Sequence, residues 1–343
     1  MLTDRPEAEL RLYRGDVHDP ADFDQFWAET LEQTRTYPLH AVATPYGAGL
    51  RTIDVWDVEF AGFGGDRIRA WLLRPAGATE DLPGVVEYVG YGGGRGSPLE
   101  NLVWASAGYA HLVMDSRGQG GTYRRGSTPD PHGTPPSTPG FTTRGVGHRE
   151  TYYYRRLFTD AVRAVDALRE MPGVDPDRIA VVGGSQGGAT ALACAALRGD
   201  VQCAVAHVPF LSDIRHATTF VDRAPYNEIV AYLAAHRDET EQVLTTLTYF
   251  DGVNFARRCR VPTRYSAALM DPTCPPSTVF ASYNAHQGEK RITVWPYNGH
   301  EGGGTDDLAL AVEEVARRLQ PGHAKQELQS GRAPQDAAGL LHG

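Results

Sequence analysis

The chain has 343 residues, of which 41% are hydrophobic and 22% are charged, and its formal net charge at pH 7 is −9. This composition can supply a large apolar core, and the negative charge gives no electrostatic footprint for nucleic acid or an anionic membrane. No apolar run approaches a membrane span, and the N-terminal residues are acidic where a signal peptide needs a basic start, so we expect a soluble, cytoplasmic protein.

The first predicted elements are a helix and a β-hairpin. Residues 22–34 place Phe23, Phe26 and Trp27 on one broad face, the pattern of an amphipathic helix. The strand-like runs 52–60 and 67–73 follow, joined by a glycine-containing turn that suits a hairpin.

Downstream of the hairpin, strands alternate with helical stretches. Six strand-like runs are found, at residues 84–89, 111–115, 178–182, 204–208, 263–270 and 292–295. This alternation predicts fold class α/β, with a mostly parallel, doubly wound sheet. Functional residues are expected on loops at the carboxyl ends of its strands.

The loop after the strand 84–89 is rich in glycine, reading Gly90-Tyr91-Gly92-Gly-Gly-Arg95-Gly96. It does not fit a nucleotide site. The third glycine of a dinucleotide fingerprint would fall at Arg95, and neither of the two lysines, Lys290 and Lys325, follows a glycine as a Walker A lysine must.

The most informative segment is Gly183-Gly184-Ser185-Gln186-Gly187, which directly follows the apolar run 179–182 and precedes the helix-forming stretch 189–197. A G-x-S-x-G segment between a strand and a helix is typical of a nucleophile elbow, the tight turn that presents a serine hydroxyl to a base. Gly183 and Gly187 are expected to flank Ser185 because the crossing backbones leave no room for a Cβ atom. We therefore predict that Ser185 is a nucleophile; the alternative is a glycine-rich structural turn.

Residues 212–260 interrupt the alternation. They have helical composition and carry several aromatic residues, so we expect a helical insertion before the strand 263–270. It could act as a lid over the active site or pack against a neighbouring subunit. The composition of residues 122–147 predicts a long loop that borders the site. We expect residues 1–322 to form a single domain and residues 323–343 to form a disordered tail.

A serine nucleophile needs a base and an acid. His300 lies in a glycine-rich loop after the strand 292–295, and Asp271 ends the strand 263–270. Of the twelve histidines, His300 alone follows a strand downstream of Asp271 in such a loop. We predict His300 as the base and Asp271 as the acid; the rivals for the acid, Asp115 and Glu301, are interpreted as loop-ordering carboxylates.

The oxyanion formed by serine attack needs two hydrogen-bond donors. One candidate is the main-chain N–H of Gln186, the residue after the nucleophile, and the second is the main-chain N–H of Tyr91. A glycine-rich turn without a catalytic contact is the alternative for the Tyr91 loop.

Four cysteines are present, Cys194, Cys203, Cys259 and Cys274, with neither C-x-x-C nor zinc spacing. We expect free thiols and no metal site.

These motifs together resemble the seventh carbohydrate esterase family, the acetyl xylan esterase and cephalosporin C deacetylase group of α/β-hydrolases. The likeness covers roughly residues 5–320. It rests on segments 90–92, 117–120, 183–188 and 300–301, with further similarity at 22–27, 153–155, 160–164 and 274–280.

The resemblance implies an α/β-hydrolase fold, a Ser185, Asp271 and His300 triad, and an oxyanion hole formed by Tyr91 and Gln186. It also implies a homo-oligomer, specifically a hexamer. The segment Arg117-Gly118-Gln119 is expected to order the site, with Arg117 paired to carboxylates or carbonyls, and Glu301 either orients the His300 loop or faces solvent.

The predicted function is that of a serine carboxylesterase that deacetylates small acetylated carbohydrates and related esters such as cephalosporin C through an acetyl-Ser185 intermediate, without a cofactor. A short-chain esterase, lactonase, peptidase or acyltransferase could use the same machinery. A non-catalytic binding protein with this fold is a further alternative.

Overall fold

The computed structural model describes residues 2–132 and 139–319. Nine strands form one sheet in this part of the chain: β1 (Val42–Pro45), β2 (Ile53–Ala61), β3 (Arg67–Pro75), β4 (Leu82–Tyr88), β5 (Ala110–Met114), β6 (Val174–Gly184), β7 (Cys203–His207), β8 (Thr263–Ala268) and β9 (Lys290–Trp295). The α-helices described are α1 (Glu7–Leu10), α2 (Phe23–Arg35), α3 (Val103–Ser106), α4 (Tyr153–Arg169), α5 (Gln186–Arg198), α6 (Ile214–Ala217), α7 (Tyr226–Ala235), α8 (Thr240–Thr248), α9 (Gly252–Ala256), α10 (Pro276–Ala285) and α11 (Thr305–Leu319).

The strands lie in the order β1-β2-β3-β5-β4-β6-β7-β8-β9 across the sheet. The six strands from β4 to β9 run parallel to one another, whereas β1, β2 and β3 pair antiparallel with their neighbours. The predicted hairpin is formed by β2 and β3, which pair from Ile53↔Pro75 to Ala61↔Arg67. The mostly parallel, doubly wound α/β sheet is therefore confirmed.

The central strands are apolar because helices cover both faces of the sheet. Val86 packs on the face that carries α4 and α5, and the adjacent Val85 packs on the opposite face, with α11. Val181 and Val182 alternate in the same way on the neighbouring strand β6. This double cover holds the carboxyl ends of β4, β6, β7, β8 and β9 in a fixed relative position.

Some boundaries differ from those predicted. The edge strand β1 was not predicted; it is short, mostly exposed and ends in Pro45. Strand β6 begins at Val174, which pairs with Leu82; the polar residues 175–178 fall where the pairing with β4 is irregular, and the sequence shows no strand pattern there. Strand β8 ends at Ala268, and Asp271 lies three residues beyond it.

The predicted insertion is helical and comprises α6 to α9. Its last helix, α9, packs against α5 and α10, and α7 packs against a short 3₁₀ helix at Phe141–Thr143. The buried carboxylate of Asp251 accepts the main-chain N–H groups of Asp213 at 3.0 Å and Ile214 at 2.8 Å. One side chain thus holds the beginning of α6 against the beginning of α9.

The predicted disordered tail 323–343 and part of the predicted loop 122–147 lie outside the described residues. None of the helices in the described ranges is long and apolar enough to cross a membrane.

Candidate active site

Ser185 lies between the end of β6 and the start of α5 with φ 56° and ψ −120°. A positive φ is rare for a residue with a side chain and persists only where the surrounding structure enforces it. The main-chain N–H of Ser185 donates to His207 O at 2.9 Å, and its carbonyl accepts the N–H of Phe210 at 3.0 Å. The serine is therefore held in a strained turn by the end of β7.

The glycines around Ser185 are required by close backbone contacts. A Cβ atom on Gly187 would lie 2.1 Å from Tyr88 O, and one on Gly183 would lie 2.3 Å from the carbonyl carbon of Gly187. Gly184 differs, because its Cβ would meet nothing nearer than 3.9 Å. The prediction that Gly183 and Gly187 flank the serine for lack of space is confirmed.

The structure brings Ser185, His300 and Asp271 together. His300 Nε2 lies 3.0 Å from Ser185 Oγ, and His300 Nδ1 lies 2.8 Å from Asp271 Oδ2. Since a carboxylate can only accept, Nδ1 carries a proton and Nε2 is left free to take the serine proton. This arrangement can perform nucleophilic acyl transfer.

The carboxylate of Asp271 is fully buried. Its Oδ1 accepts the main-chain N–H groups of Thr273 at 2.8 Å and Cys274 at 3.0 Å, which leaves Oδ2 for His300. These donors satisfy the buried charge and fix its orientation. The sequence did not predict that main-chain N–H groups of the turn after β8 would bind Asp271.

Asp115 and Glu301, the alternative candidates for the catalytic acid, have other hydrogen-bond partners. Asp115 accepts main-chain N–H groups of Arg95, Ser127 and Thr128, and so ties the 90–96 loop to the 122–128 segment. Glu301 is exposed, and its Oε1 accepts Gly299 N–H at 3.0 Å. Hydrogen bonds from the main-chain N–H groups of Glu301 itself and of Gly299 hold the pKa of Glu301 below its usual value. Both carboxylates accept main-chain N–H groups of loops, and their interpretation as loop-ordering residues stays a prediction.

Tyr91 and Gln186, the predicted oxyanion donors, follow the neighbouring parallel strands β4 and β6. Gln186 is the first residue of α5, where main-chain N–H groups have no acceptor within the helix. Tyr91 follows β4, and a Cβ on the preceding Gly90 would lie 3.8 Å from Gly184 O. The glycine-rich loop therefore runs beside the nucleophile.

Gln119 links these two donor segments. Its Oε1 accepts Gly92 N–H at 2.7 Å, and its Nε2 donates to Gln186 Oε1 at 2.8 Å and to the Tyr153 hydroxyl at 2.9 Å. The Tyr154 hydroxyl also donates to Gln186 Oε1 at 3.0 Å. The adjacent tyrosines were part of the resemblance, but the sequence assigned them no role.

Arg117 is the centre of a buried ion-pair cluster, and its role in ordering the site stays a prediction. Its guanidinium is fully buried, donates to both oxygens of Asp160 at 2.6 and 2.7 Å, and donates to Asp66 at 2.8 Å. Burial alone would lower the pKa of Arg117, but Asp160 and Asp130 outweigh it and raise the pKa. The Arg117 carbonyl accepts the Tyr153 hydroxyl at 2.6 Å, which connects this ion pair to Gln119.

Cys274 is a buried free thiol beside the triad, and burial raises its pKa well above the usual value. Among the residues described, Asp271, Cys274 and His300 are the one group of three side chains whose potential ligand atoms lie within 4.8 Å of one another. Asp271 and His300 are already bonded to each other, so the group is organised for proton transfer.

One further contact at this site could not be predicted from the sequence. The Tyr91 hydroxyl donates to Glu228 Oε2 of α7 at 2.5 Å, across 137 residues of sequence. Glu228 lies in the first turn of α7, and nothing in the sequence of this helix marks it as a site residue. It contacts Tyr91 only because of the way the insertion folds.

Comparison with known proteins gives one consistent family. Residues 1–311 match the family model described as acetyl xylan esterase (AXE1). The chain is similar to the acetyl xylan esterase from Paenibacillus sp. R4, with 37% identity, a TM-score of 0.85, and coverage of 92% of this chain and 100% of that one. It is also similar to acetyl xylan esterase 1 from Thermoanaerobacterium sp. JW/SL YS485, with 34% identity, a TM-score of 0.82, and coverage of 91% and 99%.

Among curated proteins, the acetyl esterase Axe7A of Xylanibacter ruminicola is 29% identical over 296 residues, or 84% of this chain. The match spans 65% of the length of that relative.

Proposed function

The chain belongs to the acetyl xylan esterase family, and we propose that it is a serine carboxylesterase that removes acetyl groups from small acetylated carbohydrates such as xylo-oligosaccharides. The proposal extends to related acetyl esters such as cephalosporin C. The observation that carries it is the bridge of His300 between Ser185 Oγ at 3.0 Å and Asp271 Oδ2 at 2.8 Å.

In the first half-reaction, His300 Nε2 takes the Ser185 proton while Oγ attacks the acetyl carbonyl carbon. The carbonyl oxygen becomes an oxyanion that accepts hydrogen bonds from the main-chain N–H groups of Tyr91 and Gln186. As the bond to the alcohol oxygen breaks, that oxygen takes the proton from His300, and acetyl-Ser185 remains. Asp271 stabilises the imidazolium that exists between these two proton transfers.

In the second half-reaction, water attacks the acetyl carbonyl and gives a proton to His300 Nε2. The Ser185 Oγ bond to the acetyl carbon then breaks, Oγ recovers the proton from His300, and acetic acid leaves and gives its own proton to the solvent as acetate. The side chains are restored without a redox step or a cofactor.

Aromatic side chains pack closely beside the elbow. Phe210, whose N–H donates to the Ser185 carbonyl, packs its ring 4.6 Å from that of Tyr226 and 6.2 Å from that of Tyr91, centroid to centroid. Phe210 and Tyr226 are fully buried. These rings belong to the apolar core beside the elbow, and the preference for acetyl groups is inferred from membership of the acetyl xylan esterase family.

The test compares acetyl, butyryl and octanoyl esters of one alcohol, together with a peracetylated xylo-oligosaccharide, for the wild type and Ser185→Ala. We expect a strong acetyl preference and a loss of about 10⁴–10⁶ in kcat for the variant. In the wild type, rapid quenching should trap one acetyl group on the peptide that contains Ser185.

Several outcomes would contradict the proposal. Preference for octanoyl esters would indicate a general esterase, and transfer of the acetyl group to an added alcohol in place of water would indicate an acyltransferase. Activity retained in Ser185→Ala would remove Ser185 from the mechanism.

A further inference from the structure

The Tyr91 side chain is fixed at its hydroxyl by three hydrogen bonds. The oxygen accepts the main-chain N–H groups of Gly140 at 3.1 Å and Phe141 at 2.8 Å, and it donates its proton to Glu228 Oε2 at 2.5 Å. A phenol has one proton to donate and two lone pairs, so its hydrogen-bonding capacity is filled. Burial, followed by the nearby Glu228 carboxylate, raises the pKa of Tyr91, which keeps the hydroxyl protonated.

Glu228 is itself held in place. The same oxygen, Oε2, accepts the Thr142 hydroxyl at 2.6 Å, and Thr142 belongs to the 3₁₀ helix against which α7 packs. The carboxylate lies in the first turn of α7, where the helix dipole favours negative charge. Glu228 therefore joins the insertion, the 140–143 segment and the Tyr91 ring at one point.

The glycine-rich main chain around Tyr91 depends on other groups for its rigidity: Gln119 and Thr122 bond to Gly92, and Glu228 holds the Tyr91 hydroxyl. Tyr91 lies between Gly90 and Gly92, Gly92 has φ 78°, and two further glycines follow. Glycine has the widest conformational freedom of any residue, so an N–H in such a loop is well aimed only if something else fixes it. The Tyr91 ring, which has only two side-chain torsions, can transmit the position of its hydroxyl to its own backbone.

We propose that Glu228 is a positioning residue that aims the main-chain N–H of Tyr91 at the oxyanion, so that the helical insertion contributes to transition-state stabilisation. This inference rests on the proposed function, in which Tyr91 is an oxyanion donor. An oxyanion donor is effective only within a few tenths of an ångström of its proper position. Loss of the Glu228 contact should therefore reduce the rate more than substrate binding.

The experiment measures kcat, KM and the inhibition constant of a methylboronic acid for the wild type, Glu228→Ala, Glu228→Gln and Tyr91→Phe. The boronic acid adds to Ser185 Oγ and presents a tetrahedral, negatively charged oxygen to the oxyanion donors. We expect Glu228→Ala and Tyr91→Phe to lose about 10- to 100-fold in kcat, with KM within about threefold, and to bind the boronic acid more weakly by a similar factor.

Glu228→Gln is the conservative variant, because its amide oxygen can still accept from Tyr91 and Thr142. It should recover most of the loss, to within about fivefold of wild type. The double variant Tyr91→Phe/Glu228→Ala should lose little more than either single variant, since both changes break the same contact.

Glu239→Ala is a matched control. Glu239 accepts the Tyr232 hydroxyl at 2.6 Å, so it forms a tyrosine–carboxylate pair in the same insertion with no contact to Tyr91. It should keep wild-type kinetics and boronic acid affinity. An equal loss in Glu239→Ala would mean that the insertion responds non-specifically, and this would overturn the proposal.

Unchanged boronic acid affinity in Tyr91→Phe would also overturn the proposal, even if Glu228→Ala fails to fold. Failure of the proposed function is a separate result, because it would appear as activity retained in Ser185→Ala, whatever Glu228 does.

Discussion

The side-chain amides of Gln119 and Gln186 form a reciprocal pair. Gln119 Nε2 donates to Gln186 Oε1 at 2.8 Å, and Gln186 Nε2 approaches Gln119 Oε1 at 3.3 Å. Both side chains are fully buried, and Gln119 also accepts the N–H of Gly92. The pair therefore ties the loop after β4 to the first residue of α5, the two segments that supply the proposed oxyanion donors.

Replacing Gln119 by methionine tests this link. The variant Gln119→Met keeps the volume but leaves Gly92 N–H without its acceptor and removes the link to the Gln186 amide, which keeps only its bonds to Tyr154 and Val89. We therefore expect kcat to fall about 10- to 100-fold with KM nearly unchanged. Steady-state hydrolysis of an acetyl ester is the measurement. Gln202→Met, which removes only an exposed bond to the Asp177 carbonyl, is the control. Wild-type kcat in Gln119→Met would show that the pair is dispensable.

Substitution by alanine should lower the free energy of unfolding more at Gly187 than at Gly184. In Gly187→Ala the new methyl group would lie 2.1 Å from Tyr88 O, so the free energy of unfolding should fall by about 3 kcal/mol or more. In Gly184→Ala the methyl group has space, and the change should stay within about 1 kcal/mol. Urea denaturation measures both variants. Equal stability of the two would mean that β4 can move away from the elbow.

Arg117 should not tolerate lysine. Asp160 receives two parallel hydrogen bonds from the Arg117 guanidinium, and an ammonium group cannot reproduce this geometry. We expect Arg117→Lys to lower the free energy of unfolding by about 2–4 kcal/mol. Arg291→Lys, at an exposed position, should leave it unchanged. A wild-type unfolding curve for Arg117→Lys would contradict a structural role for the pair.

His286 should make stability depend on pH. Its Nε2 faces the Val261 carbonyl at 3.1 Å and must carry the proton, so Nδ1 accepts the Tyr265 hydroxyl at 3.1 Å. Burial, assisted by Lys290, lowers the pKa of His286 to about 4. The unfolded chain, with a pKa near 6.5, binds this proton more readily than the folded chain does.

The stability due to neutral His286 is therefore complete above about pH 6.5 and is lost as the pH falls towards about 4, with a total of roughly 3 kcal/mol. Urea denaturation at several pH values should show this slope in the wild type and a flatter one in His286→Gln. His148→Gln, at an exposed position, should keep the wild-type slope. An unchanged slope in His286→Gln would assign the pH dependence to other groups.

The parts of the molecule that could be predicted are those with local signals. Ser185 was found because glycine spacing, a preceding apolar run and a following helix are adjacent in sequence, and the order of the strands then pointed to Asp271 and His300. The structure brings these three side chains within hydrogen-bonding distance. Their catalytic roles stay predictions until the variants are measured.

The parts that could not be predicted depend on long-range contacts. Glu228 contacts Tyr91 only in the folded protein, and nothing near Glu228 in the sequence marks it as a partner of Tyr91. Strand β1 has no apolar alternation because it lies at the exposed edge of the sheet, where pairing with β2 is its main constraint.

Asp251 has a consequence for how this enzyme family could diversify. Its carboxylate holds Asp213 and Ile214 beside the start of α9, so the chain leaves the catalytic framework and rejoins it at nearly the same place. The residues between these points begin and end side by side, and their buried side chains, among them Tyr226, Leu247 and Phe250, belong to the main core. A chimaeric enzyme with boundaries at Ile214 and Asp251 would therefore need matching core side chains as well as a carboxylate able to reach Tyr91.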